Sequence, residues 1–137
     1  MEQSVYEQVG GQAFFDELVS RFYDGVANDP LLRSMYPADL GPSRKHLAQF
    51  LAQYWGGPPN YSALRGHPRL RMRHGPFVIG VAERDAWMYH MGEALAATEM
   101  PTDVRTSMLE YFESAATHLI NKRHPEPPEG TRRLPLR

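Results

Sequence analysis

The sequence predicts an all-α domain. Apolar residues recur at a period of roughly 3.6 along most of the chain, and Gly and Pro clusters divide it into helix-length segments. Strand signal is confined to Phe77-Val78-Ile79, too short to require a sheet. With 137 residues, 42% apolar and 23% charged, the chain suits one soluble domain with its own core.

A short first element closes at Gly10-Gly11, after which Phe15, Leu18, Val19, Phe22 and Val26 fall at i, i+3, i+4, i+7 and i+11. That spacing is a buried helical stripe. Asn28-Asp29-Pro30 ends the helix, because the residue before a proline is steered away from helical backbone. Residues 31–36 suit a short helical turn before Pro37. A further helix starts near Pro42, proline being well placed in a first turn, and Leu47, Phe50, Leu51 and Tyr54 make its apolar face. Gly56-Gly57-Pro58-Pro59 stops it. Residues 60–77 are rich in Arg, His, Pro and Gly with weak periodicity, which predicts a long structured loop holding one short helix at 68–74. Loops of that length in compact domains are usually functional.

Two helices follow. The first, over 82–98, carries Trp87, Met91, Ala94, Leu95 and Thr98 on one side. After Glu99-Met100-Pro101, Thr102 suits an N-cap and Asp103 the dipole of a first turn, with Val104, Met108, Tyr111, Phe112, Ala115 and Leu119 as the stripe. Residues 122–137 hold four prolines and no periodicity, so they are expected to form a disordered tail outside a single domain at 1–121.

Composition narrows the chemistry. The absence of cysteine excludes disulfides, Cys-based zinc sites, cysteine-held iron–sulfur clusters, thiol catalysis and covalent or thiolate-ligated haem, so a metal would need His, carboxylate or Tyr. Fifteen basic against sixteen acidic side chains leave no global field for nucleic acid. The first basic residue is Arg21, so no charged secretory head precedes the apolar residues, and no run reaches the roughly 18 apolar residues of a membrane span. A cytoplasmic protein is expected.

Six histidines occur, none in the H-E-x-x-H arrangement of a helical zinc site. His74 stands apart because Gly75-Pro76 stops a helical turn sharply behind it. Two alternatives are open on spacing alone: a helix-terminal histidine with local hydrogen bonds, or a single axial ligand presenting one ring nitrogen to a haem iron. Arg65, Arg69, Arg71 and Arg73 precede or flank it, interleaved with Leu70 and Met72. Such a run is a solvated basic loop, a site for nucleic acid or an acidic partner, or a clamp on two carboxylates with Leu70 and Met72 against an apolar ring. Tyr23, Tyr36 and Trp87 each carry an O–H or N–H that needs a partner when buried, and together they can converge on one polar ligand.

These residues sit in long motifs. The Gly10-Gly11 and Gly56-Gly57 pairs, SRFYDGVANDP, QYWGGPP, YSALRGHPRLRMRHGPF and ERDAW together resemble the truncated haemoglobins of group II, most of all the actinobacterial type O, over residues 4–121. The resemblance implies a two-over-two helical sandwich around noncovalent haem b. Residues 12–27, 42–55, 82–98 and 102–121 would be helices B, E, G and H, with a long EF loop and a short proximal F helix. It implies His74 as proximal iron ligand, and Tyr23, Tyr36 and Trp87 as distal donors. Arg73 and Tyr61 would meet the propionates, Leu47 and Phe50 would pack distally, and Leu70, Met72 and Phe77 proximally. Ser43 would fall at the distal gate and His46 toward the rim as a propionate partner.

Dioxygen held in such a pocket gains negative charge, so several donors would slow its release. That implies tight binding and peroxide or nitric oxide chemistry rather than bulk oxygen transport. It also implies a reductant partner, and ferric binding of fluoride, cyanide or sulfide; a homo-oligomer stays open. Two other functions compete. One is a haem sensor or oxygen store without turnover. The other is a colourless helical module that uses the 65–73 arginines on nucleic acid or an acidic partner, with salt-sensitive binding.

Overall fold

The computed structural model describes residues 3–66 and 79–121, and among them every regular element is helical. The helices are α1 (Val5–Gln8), α2 (Gln12–Ala27), α3 (Pro30–Arg33), α4 (Gly41–Tyr54), α5 (Asn60–Arg65), α6 (Val81–Ala97) and α7 (Thr102–His118). α2 and α4 make one layer, α6 and α7 the other, and α2 also packs on α6 between them. The all-α, two-over-two expectation holds. No helix among the described residues is long and apolar enough to cross a membrane.

The α2 stripe is the centre of the core: Phe15, Leu18, Phe22 and Val26 are fully buried, and Val19 is 1% exposed. Met91, Leu95 and Met108 meet it from the other layer. Burying each such side chain stabilises the fold by about 1.5–3 kcal/mol. α1 is held by a reciprocal cap, Glu7 N–H on Ser4 Oγ at 3.2 Å and Ser4 N–H on Glu7 Oε1 at 3.1 Å. It is then tied across the fold by Tyr6 N–H on the Trp55 carbonyl at 2.9 Å. The turn after α4 needs both its glycines, Gly56 for its backbone as well as for space beside Ser4, Gly57 for space alone. Gly56 takes φ +106°, a conformation costly for a side chain. At Gly57 a Cβ would sit 2.6 Å from the Tyr6 ring and 2.8 Å from the Ala52 carbonyl, so there the demand is space.

Several boundaries differ from expectation: α3 covers Pro30–Arg33 rather than 31–36, α4 starts at Gly41, and α6 and α7 stop at Ala97 and His118, short of 98 and 121. Residues 60–65, expected as loop, form α5: Pro59 stands at its N-cap, Gln53 on α4 exchanges hydrogen bonds with Ser62, and Tyr61 is buried with its ring edge-on to Phe50. A six-residue helix makes too few turns to show periodicity. The expected short helix at 68–74 and the tail at 122–137 lie outside the described residues. Thr102 is the first helical residue rather than the cap, because Pro101, in extended backbone with no N–H to satisfy, takes the cap position. α6 starts one residue early, at Val81, where Glu83 Oε1 accepts from Gly80 N–H at 2.8 Å.

Candidate functional site

A cavity of about 370 Å3 opens between the two helical layers. α4 lines it with Ser43, His46, Leu47, Phe50 and Leu51, spaced so that all fall on one helical face. α7 faces it with Tyr111, Ala115 and Leu119 at i, i+4 and i+8, beside Phe112 and Ala116. Leu32, Met35, Tyr36 and Pro37 close one end, and Tyr61 and Ile79 border it on either side of residues 67–78. Two hydrogen bonds of 2.8 Å between Ile79 and Asn121, N–H to Oδ1 and O to N–H, fasten the entry of α6 to the exit of α7 and so fix that wall.

Tyr23, Tyr36 and Trp87 meet at the polar end. Tyr23 projects from the flank of the α2 stripe and is 4% exposed. Tyr36 is set by the turn after α3, around which the Arg33 guanidinium wraps, donating to the carbonyls of Pro37 at 2.9 Å and Ala38 at 2.8 Å. Trp87 is wedged between Phe22 and Phe112, with ring centroids 4.9 and 5.6 Å apart. The phenol rings of Tyr23 and Tyr36 stand edge to face at 5.5 Å.

Hydrogen bonds join Ser43 to Tyr23, Tyr23 to Tyr36 and Tyr36 to Trp87. An indole N–H can only donate, so the Tyr36 oxygen accepts from Trp87. Burial, and then the neighbouring Tyr36 phenol, hold Tyr23 far above the ordinary tyrosine range. Burial also raises Tyr36, against the opposing effect of its bonds to Trp87 and Tyr23. Both phenols therefore stay protonated, as donors, at physiological pH. On the opposite wall burial and the Tyr54 phenol push Tyr111 up to about 12.

The structure brings Tyr23, Tyr36, His46, Leu47, Phe50, Tyr61 and Trp87 to one cavity. His74, Leu70, Met72, Arg73 and Phe77 lie outside the described residues. Among the described residues no group of three His, Asp or Glu could hold a metal ion. Sequence reasoning missed Arg84, whose guanidinium borders the cavity while gripping Thr117 Oγ1 at 3.2 Å, Asp85 at 3.1 Å and Glu113 at 3.7 Å. It also missed Glu83, Leu32 and Met35 as lining. Glu83 and Arg84 were findable, since they precede Trp87 by four and three residues and so share its helical face.

An apolar cavity between crossed helical layers, with protonated donors at one end and His46 and Arg84 among its lining, fits a noncovalent haem. Fold and cavity together define a globin. The chain belongs to the bacterial-like globin family, whose model matches residues 4–121. It is 38% identical over 121 residues to the group 2 truncated hemoglobin YjbI of Bacillus subtilis, spanning 88% of this chain and 91% of that protein.

Solved structures agree. The hemoglobin of the thermophilic phototroph Chloroflexus aurantiacus is 51% identical with a TM-score of 0.87, over 88% of this chain and 100% of that one. The truncated oxygen-avid haemoglobin of Bacillus subtilis is 38% identical with a TM-score of 0.82, over 87% and 100%. Haem b is the standard cofactor of the truncated haemoglobins.

Proposed function

We propose that this chain is an oxygen-binding haem protein with His74 as its iron ligand, and that Tyr23, Tyr36 and Trp87 make its oxygen release slow. The carrying observation is the hydrogen-bonded donor cluster at the end of an otherwise apolar cavity. Haem, when bound, would supply an iron at which dioxygen takes on negative charge or an anionic ligand brings its own. The chain's own residues do the rest. The Tyr36 oxygen takes the Trp87 N–H, which holds the phenol in place and leaves its O–H to reach a partner. Tyr23, whose oxygen accepts from Ser43 and whose O–H rests on the Tyr36 oxygen, becomes a second donor from α2 when that O–H turns to the ligand. Leu47, Phe50 and Phe112 keep water from competing for those donors, so each bond is worth more than in solvent.

Each donor aimed at a charged acceptor contributes about 1.5–3 kcal/mol, enough to make release rather than capture the slow step. The Bacillus subtilis neighbour described as oxygen-avid supports tight binding. Donors of this kind also suit peroxide or nitric oxide chemistry, which would need a reductant partner. His74 as ligand is supported by the HGPF context and by the placement of Tyr61 and Ile79, before and after residues 67–78, on the cavity wall. Arg73, Leu70, Met72 and Phe77 then serve the proximal face.

The test is optical. Purified protein should carry a Soret band that His74→Ala weakens or shifts severely, and an unchanged spectrum would remove His74 from the ligand role. Colourless protein that refuses added haem would instead favour a helical module acting through its arginines.

A further inference from the structure

Arg44, on α4, is the one strongly basic side chain laid directly over a donor of the cavity among the described residues. Its guanidinium carbon lies 5.7 Å from the centroid of the Tyr23 ring, within the range of a cation–π contact. The group is pinned on both sides of that ring. One nitrogen donates to the Ser20 carbonyl at 3.1 Å and to Ser20 Oγ at 3.2 Å, and the other to Asp24 Oδ1 at 3.3 Å. Ser20, Tyr23 and Asp24 are i, i+3 and i+4 on α2, so the arginine bridges the helical face from which Tyr23 projects. The residue before it, Ser43, bonds the Tyr23 hydroxyl.

We propose that Arg44 is a positioning residue for the distal site: it clamps the Tyr23 ring from outside while Ser43 holds the hydroxyl within, and its charge strengthens that phenol as a hydrogen-bond donor to an electron-rich ligand. The inference rests on the proposed donor role of Tyr23.

A simple surface ion pair does not account for the arrangement. Asp24 is 72% exposed, and a pair so open to solvent contributes little. Three bonds to two residues flanking one ring are more than a pair needs, and they hold the planar guanidinium where its charge polarises the phenol. Consistent with that field, Arg44 acts to lower the proton affinity of Tyr23 against the larger effect of burial. Lysine would keep the charge without the planar fork that reaches both anchors.

The experiment measures oxygen dissociation by stopped flow and the C–O stretch of the carbon monoxide complex by infrared, in haem-loaded wild type, Arg44→Met, Arg44→Lys, Tyr23→Phe and the Arg44→Met/Tyr23→Phe pair. Arg44→Met should release oxygen about two- to fivefold faster and raise the C–O stretch, with carbon monoxide release unchanged. Arg44→Lys should recover part of both effects. In the Tyr23→Phe background the Arg44→Met change should vanish, since an effect carried by Tyr23 cannot survive its loss.

If Arg44→Met matches wild type while Tyr23→Phe does not, or if its effect persists undiminished in Tyr23→Phe, the proposal is overturned and the donor reading stands. If Tyr23→Phe itself alters neither rate nor stretch, the donor role of Tyr23 fails and the inference goes with it. Should Arg44→Met not fold, Asp24→Asn frees one side of the guanidinium and should shift both readouts in the same direction by less. No shift there overturns the proposal equally.

Discussion

Replacing Trp87 by phenylalanine isolates the indole N–H from the ring that carries it. Phenylalanine keeps an aromatic ring between Phe22 and Phe112, which now pack on Trp87 at 4.9 and 5.6 Å, so the core contact is largely retained. What is removed is the donor to Tyr36. If that N–H acts only by holding Tyr36, its loss is worth about 1 kcal/mol, or about fivefold in rate. If it turns to an electron-rich ligand directly, the loss is about 1.5–3 kcal/mol, or about 10- to 150-fold.

Trp87→Phe should therefore release oxygen at least about fivefold faster, and the size of the change separates indirect from direct donation. The assay is stopped-flow replacement of oxygen by carbon monoxide, with the Soret band and the melting temperature as controls for an intact pocket. A dissociation rate equal to wild type in a fully folded, haem-loaded Trp87→Phe would refute the idea that this indole restrains the ligand.

Other perturbations follow from the same geometry. Gly57→Ala forces a Cβ against the Tyr6 ring and the Ala52 carbonyl, and should destabilise the fold by about 1–3 kcal/mol in thermal melting; an unchanged melting temperature would show that the turn yields freely. Tyr23, Tyr36 and Tyr111 are all raised above the ordinary value of 10.0, so the folded chain holds these protons more tightly than the unfolded one. Their contribution is fully present below pH 10.0 and fades as pH climbs from there, through about 12 for Tyr111, which tyrosinate absorbance and melting against pH can follow.

At the acid end, Asp29 is held low by its 2.7 Å bond to His90, so its contribution is intact above 3.8 and lost as pH falls through its depressed value. Asp29→Ala also removes the cap on Leu31 N–H, and should destabilise by about 2 kcal/mol near neutrality. Melting that matches wild type would mean that neither bond is formed in solution.

How far the sequence reached depended on whether the information was local. The α2 stripe was readable because five apolar residues at helical spacing span several turns, and all five are buried. The ends of α2 and α4 were readable because Pro30 and the Gly-Gly-Pro-Pro run act on their own backbone. α5 was not, since what makes it a helix with an inward face is Gln53 gripping Ser62 and Phe50 meeting Tyr61, contacts from another element. The α7 pattern showed an apolar face without revealing that it divides. Val104 and Met108 fill the core, Phe112 is buried there and also reaches the cavity, and half-buried Tyr111, Ala115 and Leu119 border the cavity.

Tyr23, Tyr36 and Trp87 were singled out from the sequence for their polar tips and, as a set, from the family motifs. Their meeting was one alternative among the sequence readings, favoured by the resemblance, until α2, the α3 turn and α6 were assembled. Arg44 carried no signal, because an arginine near a helix start reads as solvated surface, and only the packing of α4 on α2 lays it over the Tyr23 ring. The sequence by itself determined the long helices, where proline and glycine stop them, and the kind of chemistry open to a cysteine-free chain, since periodicity, proline and side-chain inventory act within a few residues. Which apolar faces close on each other, which face a cavity, and which polar tips share one hydrogen-bonded cluster were decided by the tertiary structure. Those groups are distant along the chain, and only the packing of whole helices sets the distances between them.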